Sequence, residues 1–388
     1  MSNWAHTKRI NAIAEVSAGQ SAPQNSDAFS DTGIPFVRAG SLDALLNGSN
    51  EDALEKISPD AKLKTSMRLF PKDTILFAKS GMSATLGRVY RLKKDCYVVS
   101  HLAAIIPDKR VVYPAYLQRW FEKFPPSHLI PNQAYPSIRL SSISGLEVPL
   151  PDLAEQKRIA AILDKADAIR RKRQQALALT DDLLRSTFLE MFGDPVTNPK
   201  GCKTMALEKI AKVERGRFSP RPRNDPRFYD GDYPFVQTGD IAAAKGYLNT
   251  WHQTLNDQGI RVSKGFDPGT VLVAIVGATI GETAILCSRM YCPDSVVGIS
   301  PQKLITPEYL EYLLRFWRPR FIASAPETAR ANINLQTLKP LEVIIPEDSN
   351  LQVFTNLYKK AHERFRHGST TESDLFNSCL QRAFRGEL

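Results

Sequence analysis

Five arginines fall within "ERGRFSPRPRNDPRF" (Glu214–Phe228), at Arg215, Arg217, Arg221, Arg223 and Arg227, with Phe218 and Phe228 interleaved. Guanidinium groups on a loop broken by Gly and Pro suit phosphate contact, which calls for cations on flexible stems. A plain solvated loop is the competing reading. The first half of the chain offers a sparser set of polar loop candidates: Lys79, Ser80, Arg88, Gln133, Tyr135 and Arg139. The net charge of +10 is spread in the same way. Met1–Lys200 holds 27 Lys and Arg against 21 Asp and Glu, so the excess is shared between the halves and suits a polyanion met along the whole length.

A second pattern concerns base edges rather than phosphates. "PFVRAGSL" (Pro35–Leu42) and "PFVQTGDI" (Pro234–Ile241) share a scaffold and differ at polar positions, with Arg38 against Gln237 and Ala39 against Thr238. Lys79 stands likewise against Ile275, and Arg88 against Glu282. Arg can meet guanine bidentately and Gln can meet adenine. Two readers of different sequence would vary these positions; so would ordinary surface drift. "IRRKRQQ" (Ile169–Gln175) is a basic helical stretch expected to face outward, toward phosphates, an acidic partner or solvent.

Catalysis finds little support. "PDLAEQK" (Pro151–Lys157) has the carboxylates and Lys of a metal-dependent nuclease. That chemistry needs them to converge from separate strands, whereas here they fall within two turns at a helix start, where Asp152 reads as a cap. No GxxxxGK[ST] is present, and "VGATIG" (Val276–Gly281) lacks the pattern of a dinucleotide cradle, so it reads as a tight loop. Neither "NDPRFY" (Asn224–Tyr229) nor "GDPVTNP" (Gly193–Pro199) supplies the Asn/Asp-Pro-Pro-aromatic stretch of an adenine methyltransferase. His362, His367, Cys287 and Cys292 lack companions at ligand spacing, so neither a metal nor a cofactor is expected. Five cysteines without a CxxC pair argue against a disulfide scaffold and for a reduced, cytoplasmic setting. The start, "MSNWAHTKRINAIAEV", carries no apolar signal region, and the longest apolar run, Val271–Val276, is too short for a membrane span.

The elements that must position these residues come in duplicate. "IAEVSAG" (Ile13–Gly19) matches "IAKVERG" (Ile210–Gly216), and "TILFAKSG" (Thr74–Gly81) matches "TVLVAIVG" (Thr270–Gly277). "TLGRV" (Thr85–Val89) matches "TIGET" (Thr279–Thr283), "SIRLSSISGLEVPLP" (Ser137–Pro151) matches "NINLQTLKPLEVIIP" (Asn332–Pro346), and "LLRSTFLEMF" (Leu183–Phe192) matches "LFNSCLQRAF" (Leu375–Phe384). With the Pro35 and Pro234 blocks, the offsets run 197, 199, 196, 194, 195 and 192 in one order, which marks a tandem duplication. Each unit opens with a mixed α/β stretch holding short strands such as Thr74–Ala78, Tyr97–Val99 and Val271–Val276. Each also holds one Pro-led helix, "PAYLQRWFEKF" from Pro114 and "PEYLEYLLRFW" from Pro307.

A long helix closes each unit. From Asp152 to about Phe192 there is no Gly or Pro, and about 1.5 Å per residue gives a span of roughly 60 Å. Ile162, Ile169, Ala176 and Leu183 recur every seven residues with Leu163, Leu177 and Leu184 beside them, as in a coiled-coil seam. Phe354, Leu357, Tyr358, Phe365, Leu375, Phe376, Leu380 and Phe384 of the second copy offer a partner stripe, although "HGSTTESD" (His367–Asp374) makes a poor helix in its middle. Packing of each helix only on its own domain is the alternative.

The chain resembles the specificity subunit of type I restriction-modification enzymes. "LEVPLPDLAEQKRIAAILD" (Leu146–Asp164) resembles that family's entry into its first long helix. The paired Pro35 and Pro234 blocks, with "AKSGMSATLGRV" and "AIVGATIGETAI", resemble the recurring blocks of its target-recognition domains. The resemblance covers essentially the whole chain. It implies an α+β fold with two mixed α/β target-recognition domains related by pseudo-twofold symmetry, separated by two long helices forming an antiparallel coiled coil. The expected boundaries are 1–150 and 194–346 for the domains, and 151–193 and 347–388 for the helices.

It further implies a non-catalytic subunit that reads a bipartite target in double-stranded DNA. Two methyltransferase subunits and restriction (motor-nuclease) subunits would be its partners, and no membrane is involved. Glu155, Gln156, Ile159, Leu163 and Gln352 are the candidates for methyltransferase docking. The second helix start, "PEDSNLQVFTNLYKKA" (Pro346–Ala361), keeps Gln352 but not the Glu-Gln pair, and "SHLAAIIP" (Ser100–Pro107) also departs from the family pattern. Half-sites on one side of B-DNA lie about 34–36 Å apart, a separation such helices can set. The alternative is a stand-alone DNA-binding protein, or a competitor of a specificity subunit, without catalysis of its own.

Overall fold

The computed structural model describes residues 6–58, 67–324, 333–366 and 371–388. Two compact units emerge, Met1–Arg173 with Thr370–Leu388 and Gln174–Ser369. Each contains its own mixed α/β domain and half of the long helix.

In the first unit, Ala14–Ala18, Leu102–Pro107, Ile75–Ala78 and Val89–Arg91 form a four-stranded sheet in that order, all antiparallel. Its apolar runs are buried on both faces, which is why Leu102–Ile105 reads as continuous hydrophobic sequence. A second sheet sets Phe29–Ser30, Lys56–Ile57, Ile34–Val37 and Tyr97–Val98 side by side. A two-stranded ribbon, Thr7–Arg9 with Glu147–Pro149, joins the beginning of the domain to its exit.

The second unit repeats the plan. Ala211–Arg215, Val296–Pro301, Val271–Ala274 and Thr283–Leu286 form the matching sheet, extended by Gly246–Leu248. Gln253–Leu255, Tyr229–Phe235, Met290–Cys292 and Lys264–Phe266 form the second sheet, and Thr204–Ala206 pairs with Glu342–Ile344. Even the one parallel pairing in the second sheet recurs, Phe36 with Tyr97 and Phe235 with Tyr291.

The glycine that ends the first repeat block has the same reason in both copies. A Cβ on Gly19 would lie 2.2 Å from the Val99 carbonyl oxygen, and one on Gly216 2.2 Å from the Pro293 oxygen. The Pro-led helices form as expected over Pro114–Lys123 and Pro307–Ser324. A buried tyrosine on each ties it to the exit strand, Tyr116 Oη donating to the Pro149 carbonyl (2.7 Å) and Tyr309 Oη to that of Ile344 (2.9 Å).

The long helix runs Leu153–Phe192, and the Asp152 carboxylate caps it by accepting from the Glu155 N–H at 2.8 Å. Its inward face keeps only part of the expected stripe. Ile169 and Leu183 are half-exposed and Ala176 is exposed, whereas Ile159, Ala160, Leu163, Leu184, Phe188 and Phe192 are buried. Leu163 and Leu184 keep their expected places in the seam, which carries charge in its middle because both ends of the helix pack on domain surfaces rather than on a uniform partner.

Each half of the helix meets one helix from the end of the chain. In the first unit, Arg158 donates to the Leu388 carbonyl and the Arg170 guanidinium lies over the Phe376 ring, so the helix Thr371–Arg385 runs antiparallel to it. Phe376, Leu380 and Phe384 join that unit's core, and Leu375 faces solvent, contrary to the expected stripe. In the second unit, Phe188 and Phe192 meet Phe354 of the helix Asp348–Arg366 with ring centroids 5.2 and 5.7 Å apart. Of the weak helical stretch expected over 367–374, residues 367–370 lie outside the described residues, and helix resumes at Thr371.

Candidate nucleic-acid interface

The arginine-rich segment is folded against the second unit. Phe218 is buried beside Phe235 and Leu255, which removes it from any surface stack. Arg215 donates to the Asp294 carbonyl, Arg223 reaches the Asp294 carboxylate at 2.5 Å, and Arg221 lies 3.6 Å from it. Arg217 reaches the Arg261 and Ser263 carbonyls. Arg227 pairs with Asp225 at 2.6 Å, and the hydrogen bonds from Arg227 hold that carboxyl below its usual range. All five cations have internal partners. A phosphate would have to share them with those partners.

Other expectations change in the same direction. Arg88 pairs with Asp43 at 2.6 Å, while Glu282, which stands in its place in the second copy, pairs with Arg318 at 2.7 Å. In the basic stretch of the long helix, Ile169, Arg171, Lys172, Gln174 and Gln175 are exposed as expected, while Arg170 and Arg171 also pair with the buried Asp167, at 2.6 and 3.0 Å. Arg119 reaches the same carboxylate at 3.2 Å. Among the docking candidates, Gln156, Ile159 and Leu163 are buried. Gln156 accepts from the Tyr113 N–H (2.7 Å) and donates to the Pro151 (2.8 Å) and Val111 (3.2 Å) carbonyls, so it fastens the helix to its own domain. Glu155 pairs with Arg158 at 2.7 Å, and Gln352 is exposed.

Several polar candidates do converge. In the first unit the Lys79 carbonyl accepts from the Ile138 N–H, the Gly81 N–H donates to Pro136, and Ser80 bridges Ser137. The Ser80 hydroxyl also meets His101 Nδ1 at 2.8 Å. Lys79, Ser80 and the loop bearing Gln133, Tyr135 and Arg139 therefore share one surface, on which Tyr135 is 81% exposed and Met82 71% exposed. Sequence reasoning missed His101 and Met82, since neither falls in a polar block. In the second unit the segment matching Gln133–Tyr135 lies outside the described residues.

The base-edge candidates sit at one register position of the second sheet. In the first unit the Phe36 N–H donates to the Glu55 carbonyl; in the second, Phe235 pairs with Gln253. Two residues on from each phenylalanine, Arg38 Nε donates to Glu55 Oε2 at 2.7 Å, and Gln237 Nε2 donates to Gln253 Oε1 at 3.1 Å. The Arg38 guanidinium also lies over the Phe29 and Phe36 rings, 5.3 and 5.2 Å from their centroids. Gln237, Gln253, His252, Arg223 and Tyr229 line an open cavity of about 600 Å³. His252 donates to the buried Asp240 carboxylate, which also accepts from the Gln237 N–H at 2.7 Å. Thr238 opens the short helix Thr238–Ala244 beside them.

A family model described as the type I restriction modification DNA specificity domain matches residues 1–179 and again residues 199–358. The chain belongs to the type I restriction-modification DNA specificity family. The two matches coincide with the two copies that share a sheet topology. Among individual relatives of this specificity family, the MjaIX specificity subunit of Methanocaldococcus jannaschii is 23% identical over 381 residues, covering 92% of this chain and 86% of that one. The EcoKI specificity subunit of Escherichia coli K12 is 20% identical over 405 residues, covering 92% and 83%. A solved S subunit of a type I restriction-modification system from M. genitalium superimposes with a TM-score of 0.61 at 12% identity, covering 99% of this chain and 97% of that one. That likeness establishes a shared fold. No helix among the described residues is long and apolar enough to cross a membrane.

Proposed function

We propose that this chain is the non-catalytic specificity subunit of a type I system, reading a bipartite target in double-stranded DNA and docking two methyltransferase subunits together with restriction subunits. The observation that carries the reading is the double match of the specificity-domain family to two units of one topology whose polar surface residues differ. Each unit takes one half of the target. The surface of Lys79, Ser80, Gln133, Tyr135 and Arg139 contacts DNA in the first unit, and the surface around Gln237, Thr238 and the shared arginines of Glu214–Phe228 does so in the second. The exposed ends of internally paired arginines supply sequence-independent attraction, while the half-buried polar pairs supply selection.

Docking falls to the exposed faces of the helices. Gln352 and the 58% exposed Val353 beside it, with Leu179 and Leu183 on the long helix, offer apolar contacts where Gln156, Ile159 and Leu163 cannot. Methylome sequencing of cells expressing this chain with its methyltransferase partner tests the proposal. The expected outcome is a split motif with two unlike halves. An uninterrupted motif, or DNA binding without methyltransferase assembly, would favour a stand-alone DNA-binding protein.

A further inference from the structure

Glu55 and Gln253 belong to no repeat block, yet the sheet register sets each beside the polar residue that follows its domain's Phe36 or Phe235 strand. We infer that Arg38–Glu55 and Gln237–Gln253 are the equivalent base-reading pairs of the two domains, the first selecting guanine and the second adenine. This inference rests on the DNA-specificity reading above.

The chemistry follows from which atoms each pair leaves available. Glu55 occupies Nε of Arg38, two rings flank the guanidinium, and no described residue hydrogen-bonds its terminal nitrogens. A guanidinium held on three sides presents those nitrogens as a fixed pair of donors. Guanine offers two acceptors, O6 and N7, at matching spacing in the major groove. In the second unit, donation from Gln237 Nε2 to Gln253 Oε1 leaves the Gln253 amide nitrogen as donor, while the Gln237 oxygen, which accepts from the Asp240 N–H as a helix cap, keeps a second lone pair as acceptor. A neighbouring acceptor and donor complement the N6 amino group and N7 of adenine. The open cavity beside this pair gives a base edge room to approach, and the Asp240 carboxylate holds the Gln237 backbone in place from behind.

The pairs also explain why substitution at one position alone would be a poor guide to specificity. Arg38 without Glu55 loses the contact that fixes its rotamer, and Gln237 without Gln253 loses the partner that orients its amide. Each pair works as a unit whose second member lies 16 or 17 residues away in sequence.

The test uses the full chain assembled with its methyltransferase subunits. Duplexes are selected by binding from a pool randomised across the recognised motif, and methylated sites are sequenced in cells. The unaltered complex is expected to prefer guanine at one position of one half and adenine at one position of the other, each by about tenfold to a hundredfold. In the double variant Arg38→Gln with Glu55→Gln, the guanine preference moves to adenine while the other half-motif stays unchanged. In the reciprocal Gln237→Arg with Gln253→Glu, the adenine preference moves to guanine in the other half only. A change confined to one position of one half supports the assignment. Unchanged motifs overturn it, and so do preferences lost in both halves together, the signature of a folding defect. If the unaltered complex selects no split motif, the specificity reading itself falls, before any variant is compared.

Discussion

The two units hold the same long helix by different means. In the second, Phe188 sits amid Phe192, Tyr309, Tyr312, Phe316 and Phe354, with centroids 5.0 to 5.6 Å away. One exposed ion pair, Arg315 with Asp181, adds to that contact. In the first, the equivalent docking helix presents Arg119, nearly buried, which reaches Asp164 at 2.7 Å and Asp167 at 3.2 Å on the long helix. Arg119 and Arg170 then cover the Phe376 ring. The duplicated docking helices thus meet different segments of the long helix, the first through ions at Asp164 and Asp167 and the second through rings at Phe188 and Phe192. The joints respond to different conditions, since apolar burial is indifferent to pH and a buried carboxylate is not.

The largest expected effect breaks the aromatic joint. Phe188→Ala removes a fully buried ring and should cost about 3–5 kcal/mol. Hydrogen-exchange protection in the strands Val271–Ala274 and Val296–Pro301 should fall while that of Ile75–Ala78 holds; equal loss in both would refute separate joints.

The ionic joint should fail next, with the opposite distribution and a pH dependence. Asp167→Ala leaves Arg119 short of a buried partner, a loss of about 3 kcal/mol at neutral pH. Burial pushes the Asp167 carboxyl up, but the Arg119 charge and the Arg170 and Arg171 contacts outweigh it and hold the group below its usual range. A depressed folded value means that the stabilisation is present above the ordinary carboxylate pKa and is lost as pH falls through the folded one. Protection in the first unit of the unaltered chain should therefore decline on acidification, and the gap between it and the Asp167→Ala variant should close. A gap independent of pH would rule out the ionic account.

Gln156→Ala probes the helix start, leaving the Tyr113 N–H and two carbonyls without their partner. About 2 kcal/mol should be lost in the first unit, and chemical denaturation monitored through Trp120 fluorescence would read it. Finally, Tyr116→Phe and Tyr309→Phe each remove one buried hydroxyl donor and should cost about 1 kcal/mol apiece. Matching losses would mark this as a feature both units share, in contrast with the joints.

How much of this could be read beforehand depends on whether the relevant spacing was local. The duplication, the Pro-led helices and the Asp152 cap were visible because each rests on neighbours in sequence. The interior face of the long helix was legible only in part, at Leu163 and Leu184. A heptad stripe assumes a uniform helical partner, and here Gln156, Asp167 and Arg170 make specific bonds to a domain or a returning helix. The arginine-rich segment was recognisable as basic, but nothing in its sequence placed Asp294 beneath three of its guanidiniums.

The sequence by itself determined that the protein is two copies of one α/β plan, each followed by a helix, because duplicated blocks carry the hydrophobic and turn patterns that build the same sheets twice. Only the tertiary structure decided which polar residues act together. Strand register brought Glu55 to Arg38 and Gln253 to Gln237, and burial turned Gln156 and Asp167 inward. Such pairings depend on geometry across the sheet and between helices, where residues distant in the chain become neighbours.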